Sequence, residues 1–346
     1  MKALLKDFRD AFRDSVIDLL WRQWTAIGVS GHGDKWLGSL VDPEALLSLT
    51  CSVGRFDARL FDGMIEWMGC NGQYINVQRL KRIMATEEFA GGQVLHAVAD
   101  ATSDSVSAAK WATMAAPRQM AAKESLFFLK NGNPMPTVKE RDPLFSAHGL
   151  LRDVYKSRGI SQAFRPEPTS NLILRLRALL GVNARAEIIA YLLLNEQGSP
   201  GSLARDAYYF PLTISKAMAE MRDSGFLTSR VNGRRRDHRL VPETWRDLFL
   251  GEEHVHWIVW PRIFRAIEVL WVFLWDDSLI KKEPLAQASA LRRVLLKSVV
   301  DKAETSGVEF SFGDLAAHPG EDLLPFAIER STALLHALTS REVSGL

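Results

Sequence analysis

The most regular pattern lies at the start of the chain, where Leu5, Phe8, Phe12, Val16, Leu19, Leu20 and Trp24 recur three or four residues apart between Leu4 and Ile27. Residues at that spacing share one helical face, so the pattern predicts a long amphipathic helix. The turn Gly28-Val29-Ser30-Gly31-His32-Gly33-Asp34 ends it. Helical periodicity returns over Pro43 to Leu49 and Phe61 to Met68, with breaks at Asn71-Gly72 and Gly91-Gly92. Residues 1–100 therefore read as an N-terminal helical domain. Periodicity fades from 101 to 170, a helical or irregular connector that contains Asn131-Gly132-Asn133-Pro134-Met135-Pro136. Phe164-Arg165-Pro166-Glu167-Pro168-Thr169-Ser170 reads as a linker, because its prolines stiffen the backbone and remove amide donors, and it sets a boundary near 170.

The pattern then sharpens. Asn183 is a candidate N-cap for a helix from Ala184 to Leu194, ended by Asn195-Glu196-Gln197-Gly198. A short helix follows at Ser202 to Ala207. Tyr208-Tyr209-Phe210 bridges to a further helix that begins at Pro211 and runs to Ser224, with Gly225 placed for a left-handed cap. Phe226 to Val231, Asn232-Gly233 and the stretch through Val241 then predict strand, hairpin turn and strand, since Asn-Gly is a strong hairpin signal. Glu243 to Leu250 reads as a short helix, and 251–346 as a C-terminal helical domain that dimerises or senses a signal. The predicted fold class is mainly α with a small β-hairpin.

Helix, short helix, turn, helix and basic hairpin in this order resemble a winged helix-turn-helix of the MarR- and ArsR-like bacterial transcriptional regulators, over about residues 180–250. The stretch Leu212-Thr213-Ile214-Ser215-Lys216-Ala217-Met218-Ala219-Glu220-Met221-Arg222-Asp223-Ser224-Gly225-Phe226-Leu227 carries the resemblance. It is similar to that family's recognition helix, with a hydroxyl-bearing start, a basic residue, an apolar stripe and a glycine before the first wing strand. The resemblance implies residues 171–250 as a DNA-binding domain between helical flanks, in a cytoplasmic, homodimeric repressor whose partner is double-stranded DNA. Helical spacing independently puts Ile214, Ala217, Met218 and Met221 on one side and Thr213, Ser215, Lys216 and Glu220 elsewhere. Those four are the candidate DNA-facing residues of the helix, because such helices present their N-terminal residues to base edges.

Charge adds the second half of the site. The whole chain has 346 residues and a formal net charge of only +2, with 43 Lys+Arg against 41 Asp+Glu. Residues 171–250 nevertheless hold 12 basic and 8 acidic side chains, and the excess sits in the hairpin. Arg230, Arg234, Arg235, Arg236 and Arg239 face one acid there, Asp237. Together with Asn232 they are the candidate wing contacts, able to reach phosphates or a minor groove and release counterions. Phosphate contacts position a protein and base contacts specify sequence, so the arginines supply affinity and the helix from Pro211 supplies selectivity.

With 47% hydrophobic and 24% charged residues the chain is an ordinary globular protein, which excludes wholesale disorder and a collagen-like repeat. Cys51 and Cys70 are too few for a disulfide framework and read as small core residues. Acidic residues interrupt the start before a signal peptide can form, which points to an intracellular protein. His256 to Trp275 is long enough to span a membrane, but Pro261, Arg262, Arg265 and Glu268 near its middle make it a buried or partner-facing helix. Its stripe Trp257, Trp260, Phe264, Trp271, Phe273 and Trp275 suits a core, a dimer interface or a pocket for a small-molecule or protein effector.

No pattern indicates an enzyme, a cofactor or a metal. Gly198-Ser199-Pro200-Gly201-Ser202 is followed only by Asp206, where a nucleotidyltransferase needs carboxylates on a strand. Gly28, Gly31 and Gly33 lack the Gly-Lys-Ser/Thr of a phosphate loop. His254 and His256, beside Glu252 and Glu253, have no second ligand cluster. The alternative function is a protein-interaction or antitoxin-like subunit in which the winged helix is auxiliary, since the flanks far exceed what a DNA module needs.

Overall fold

A computed structural model describes residues 2–31, 39–102, 108–115, 123–232, 235–241, 244–250 and 255–339. The predicted first stripe is the buried face of α1 (Lys2–Ala26), on which Val16, Leu19, Leu20 and Trp24 are inaccessible to solvent. α2 (Pro43–Thr50) starts where the Asp42 carboxylate accepts the Ala45 amide, and Asp57 caps α3 (Ala58–Asn71) in the same way through Arg59 and Leu60. α4 (Val77–Glu87), α5 (Gly92–Ala101) and α6 (Ala108–Ala115) follow. A loop-rich layer then holds the two-residue parallel pair β1 (Glu124–Ser125) and β2 (Leu150–Leu151), with α7 (Pro143–Ala147) between them.

Next come α8 (Leu172–Leu180), α9 (Ala184–Asn195), α10 (Pro200–Asp206) and α11 (Pro211–Asp223). The antiparallel hairpin β3 (Leu227–Asn232) and β4 (Arg235–Leu240) leads to α12 (Thr244–Phe249). The chain returns through α13 (Trp260–Leu274), α14 (Asp277–Ile280), α15 (Pro284–Val294), the π turn Leu295–Val299, α16 (Val300–Glu304) and α17 (Leu323–Thr339).

The expected N- and C-terminal helical domains are not separate. α1 to α5 share one apolar core with α13, α15, α16 and α17, and α13 lies against α1 and α2. Periodicity shows which face of a helix is apolar but not which element covers it. α13 is apolar almost all round, which suits a central helix, and its charges are absorbed. Glu268 pairs with Arg265 at 2.6 Å and accepts the Ala90 amide, while Arg262 reaches Asp206 at 3.2 Å. Among the described residues no helix is long and apolar enough to cross a membrane.

The expected connector also belongs to this body, since Leu126, Phe127, Phe145 and Leu150 enter its core. The proline linker is tied down as well: Asn171 donates to the Ala26 and Arg165 carbonyls, at 3.1 and 2.7 Å. Cys51 is buried as expected, but Cys70 is exposed near the end of α3, because it falls off the face that Phe61, Met64, Ile65 and Met68 bury.

A second core begins at Leu172 and gathers α8 to α12 with the hairpin root, including Leu176, Ile188, Leu192, Leu203, Ile214, Met218 and Leu227. A buried polar network joins it to the body. Arg177 of α8 places Nη1 and Nη2 at 2.6 and 2.9 Å from the two oxygens of Glu44, and Nη2 at 2.6 Å from Glu187. Arg79 bridges Glu44 and Asp42, and its Nε donates to the Ala207 carbonyl at 2.8 Å. The Tyr209 hydroxyl donates to Glu187 and accepts from Asn76. Burial would raise the Asp42 carboxyl, but Arg79 overrides it and holds the group below its ordinary value. The smaller unit is therefore held in one orientation by directional, charge-assisted bonds as well as by apolar contact.

Candidate nucleic-acid interface

α11 begins at Pro211, which supplies the fixed φ of a first turn and removes an amide that would have no helical partner. Its apolar stripe packs inward as the spacing predicts: Ile214, Ala217, Met218 and Met221 are buried against α9 and α10. Thr213, Ser215 and Lys216 are exposed on the other side. Glu220 is exposed too, but it is paired with Arg185 of α9. Gly225 closes the helix at φ 80°, the left-handed cap its position suggests, and the chain turns directly into β3.

The hairpin pairs Leu227 with Leu240, Ser229 with His238, Arg230 with Asp237 and Val231 with Arg236. Opposed residues share a face, so the arginines do not form a single sheet of charge. Arg230 and Arg239 share one face with Thr228 and Asp237, and Arg236 shares the other with Val231. All three arginines are exposed, and among the described residues none of them is held in an ion pair. Arg234 lies outside the described residues, as do Gly233 and His254. Asn232 and Arg235 are described in backbone only and pair at the open end of the hairpin.

An anchor that the sequence does not reveal fixes the hairpin to the helices. Gly198 exchanges both backbone hydrogen bonds with His238, at 3.0 and 2.9 Å, so the segment after α9 acts as a third, one-residue strand. A side chain at 198 would meet the Tyr191 ring at 2.7 Å, which explains the glycine. Burial pushes the His238 imidazole below its ordinary value of 6.5, and Arg222 and Arg236 push the same way.

The unfolded chain therefore takes up this proton before the folded one. The stabilisation is complete above pH 6.5 and is lost as the pH falls through the lower, folded value. Amide exchange at Gly198 and His238, corrected for intrinsic rates, is expected to accelerate below pH 6.5 relative to the α9 interior. Unchanged relative protection would refute this account of the hairpin root.

Two apolar residues belong to the exposed surface without being among the expected site residues. Leu212 is 67% exposed on the polar side of α11, and Val231 is 63% exposed toward the hairpin end. The signal for Leu212 is present in the sequence, since it lies off the stripe of Ile214, Ala217, Met218 and Met221. At the start of α11 the body comes close: the Arg82 guanidinium of α4 sits 4.1 Å from the centre of the Phe210 ring. Arg82, Arg205 and Arg262 line a cleft of about 300 Å³ beside Pro211, with Asp206 paired to the latter two arginines.

The aromatic stripe after His256 serves packing. Trp260, Phe264, Trp271 and Phe273 are buried in the core of the body, and Trp257 stands edge-on to Tyr191 of the smaller unit at 5.2 Å. None of the known protein families, curated proteins or solved structures matches the chain.

Proposed function

We propose that this chain is a sequence-specific, double-stranded-DNA-binding transcriptional regulator, with residues 171–250 acting as a winged helix-turn-helix. One observation carries the reading. Thr213, Ser215 and Lys216 are left out of the packing on the helix that leads straight into a hairpin whose Arg230, Arg236 and Arg239 are equally unengaged. A buried helical stripe beneath an exposed polar face, flanked by free guanidinium groups, matches what a groove lined by phosphates requires.

In this reading α11 enters the major groove with Thr213, Ser215 and Lys216 toward base edges, and Leu212 meets a thymine methyl. The arginines of the hairpin grip phosphates on the flank. Glu220 stays with Arg185 and orients α11 on α9, a change from the base contact expected of it. Arg82 of α4 lies where the duplex backbone passes the start of α11, so the body adds a cation to the same surface. As a two-fold dimer the protein would present two such helices about one duplex turn apart and repress by covering a promoter.

Selection of bound duplexes from a random pool, followed by competition between the selected site and random DNA, tests the reading. Lys216→Ala and Ser215→Ala are each expected to narrow the preference for the selected site by about 1–3 kcal/mol while non-specific binding persists. Preference unchanged in both variants removes α11 from base readout. Absence of any duplex binding at low salt, with a protein partner captured instead, replaces the regulator by an interaction subunit.

A further inference from the structure

A cleft of about 570 Å³ opens between α3 and the loop-rich layer 123–161, in the stretch where the sequence shows no periodicity. Its floor is charged and buried. Asp62 and Arg152 are 4% and 6% exposed, with Arg152 Nη2 at 2.8 Å from Asp62 Oδ1. The Arg152 guanidinium lies 5.1 to 5.3 Å from the centres of the Phe127, Phe145 and Tyr155 rings, which fix its plane. Its Nε donates to the Asp153 carbonyl, while its Nη1 has no hydrogen-bond partner among the described residues. Among the described residues Asp62 Oδ2 accepts no hydrogen bond, the Arg158 guanidinium standing 4.0 Å away. Burial pushes the Asp62 carboxyl above its ordinary value although Arg152 opposes it, and among the described residues Arg152 is the one close donor this carboxylate has.

The mouth has the opposite character. Lys139, Lys156 and Arg158 are exposed there, against the exposed Glu140 and an Asp153 whose Oδ1 already accepts the Val138 and Lys139 amides. The loop carrying Lys156 and Arg158 is held in place by Glu66. That carboxylate accepts the Ser157 hydroxyl and the amides of Arg158, Gly159, Ile160 and Ser161. Ala58, Met135, Pro136, Leu151 and Val154 supply apolar wall between floor and mouth.

We propose that this cleft binds a mononucleotide, with its phosphates on Lys139, Lys156 and Arg158 and an N–H edge of its base toward Asp62. The three parts of the cleft select for it. Clustered cations at a mouth favour a polyanion, apolar walls accept a flat ring, and an under-donated carboxylate at the floor needs N–H groups. A simple anion would satisfy only the mouth, and an apolar ligand only the walls. The inference does not depend on DNA being the partner of the hairpin.

Titration calorimetry of the full chain with GTP, ATP and inorganic tripolyphosphate tests it. At least one nucleotide is expected to bind about tenfold or more tightly than tripolyphosphate. The paired substitution Lys156→Glu and Arg158→Glu, on exposed positions, is expected to weaken both kinds of ligand by more than about tenfold. Asp62→Asn is expected to weaken the nucleotide alone. Arg236→Glu with Arg239→Glu leaves nucleotide binding unchanged, which separates this cleft from the hairpin. Tripolyphosphate binding as tightly as both nucleotides, nucleotide binding indifferent to the mouth substitutions, or no nucleotide binding up to about 1 mM each overturns the proposal.

Discussion

Arg177→Met destabilises the protein by about 3–5 kcal/mol, the expected consequence of leaving buried carboxylates without their cation. Methionine keeps much of the volume and fills irregular space well, so the loss comes from charge and hydrogen bonding and only slightly from a cavity. Arg177 and Glu44 have no exposed side-chain surface, and Glu187 has 1%. After the substitution Arg79 still offsets Glu44 from 2.6 Å, but among the described residues Glu187 retains only the Tyr209 hydroxyl as a hydrogen-bond donor, at 3.0 Å. Breaking the Arg185–Glu220 pair, whose side chains are 47% and 60% exposed, is expected to change stability by less than about 1 kcal/mol. Denaturant unfolding of both variants makes the comparison. Similar small losses would mean that the network does not bind the smaller unit to the body.

Reversing three hairpin charges, with Arg230→Glu, Arg236→Glu and Arg239→Glu together, has the largest expected effect on binding. Each arginine facing a phosphate contributes a charge-assisted contact and counterion release, and each glutamate in its place adds repulsion. The three together are expected to weaken duplex binding on the order of 100-fold or more, on every DNA sequence alike. The fold should tolerate them, since all three side chains are exposed and lie outside the second core. Circular dichroism and thermal unfolding of the variant verify that the loss is one of binding. Undiminished affinity would assign the arginines to a solvated turn.

What is legible in the sequence is local. The α1 stripe, the Gly225 cap, the inward side of α11 and the hairpin all depend on residues a few positions apart, where helical and strand periods and turn chemistry act directly. What stays hidden is pairing across the chain. Glu44 meets Arg177 over 133 residues, and Trp260 of α13 donates to the Leu40 carbonyl over 220. Nothing in either local pattern names the other partner.

Gly198 reads only as a helix stop because one bridging residue carries no alternation, although its pairing with β4 seats the hairpin. The boundary near 170 does coincide with the start of the second core, but its proline tract is bonded to the body. The cleft over Asp62 is invisible for a related reason: its loop is organised by Glu66 through backbone amides, which any sequence supplies.

The central claim is that α11 and the arginine hairpin together hold duplex DNA. It is tested most directly by fluorescence anisotropy of one labelled duplex with the parent and with the Arg236→Glu, Arg239→Glu variant over a series of salt concentrations. The parent is expected to bind with an affinity that falls steeply as salt rises, and the variant to bind more weakly, with a slope shallower by about 0.9 for each phosphate that is no longer neutralised. Equal slopes and equal affinities for the two proteins, or no binding by the parent at low salt, would contradict it.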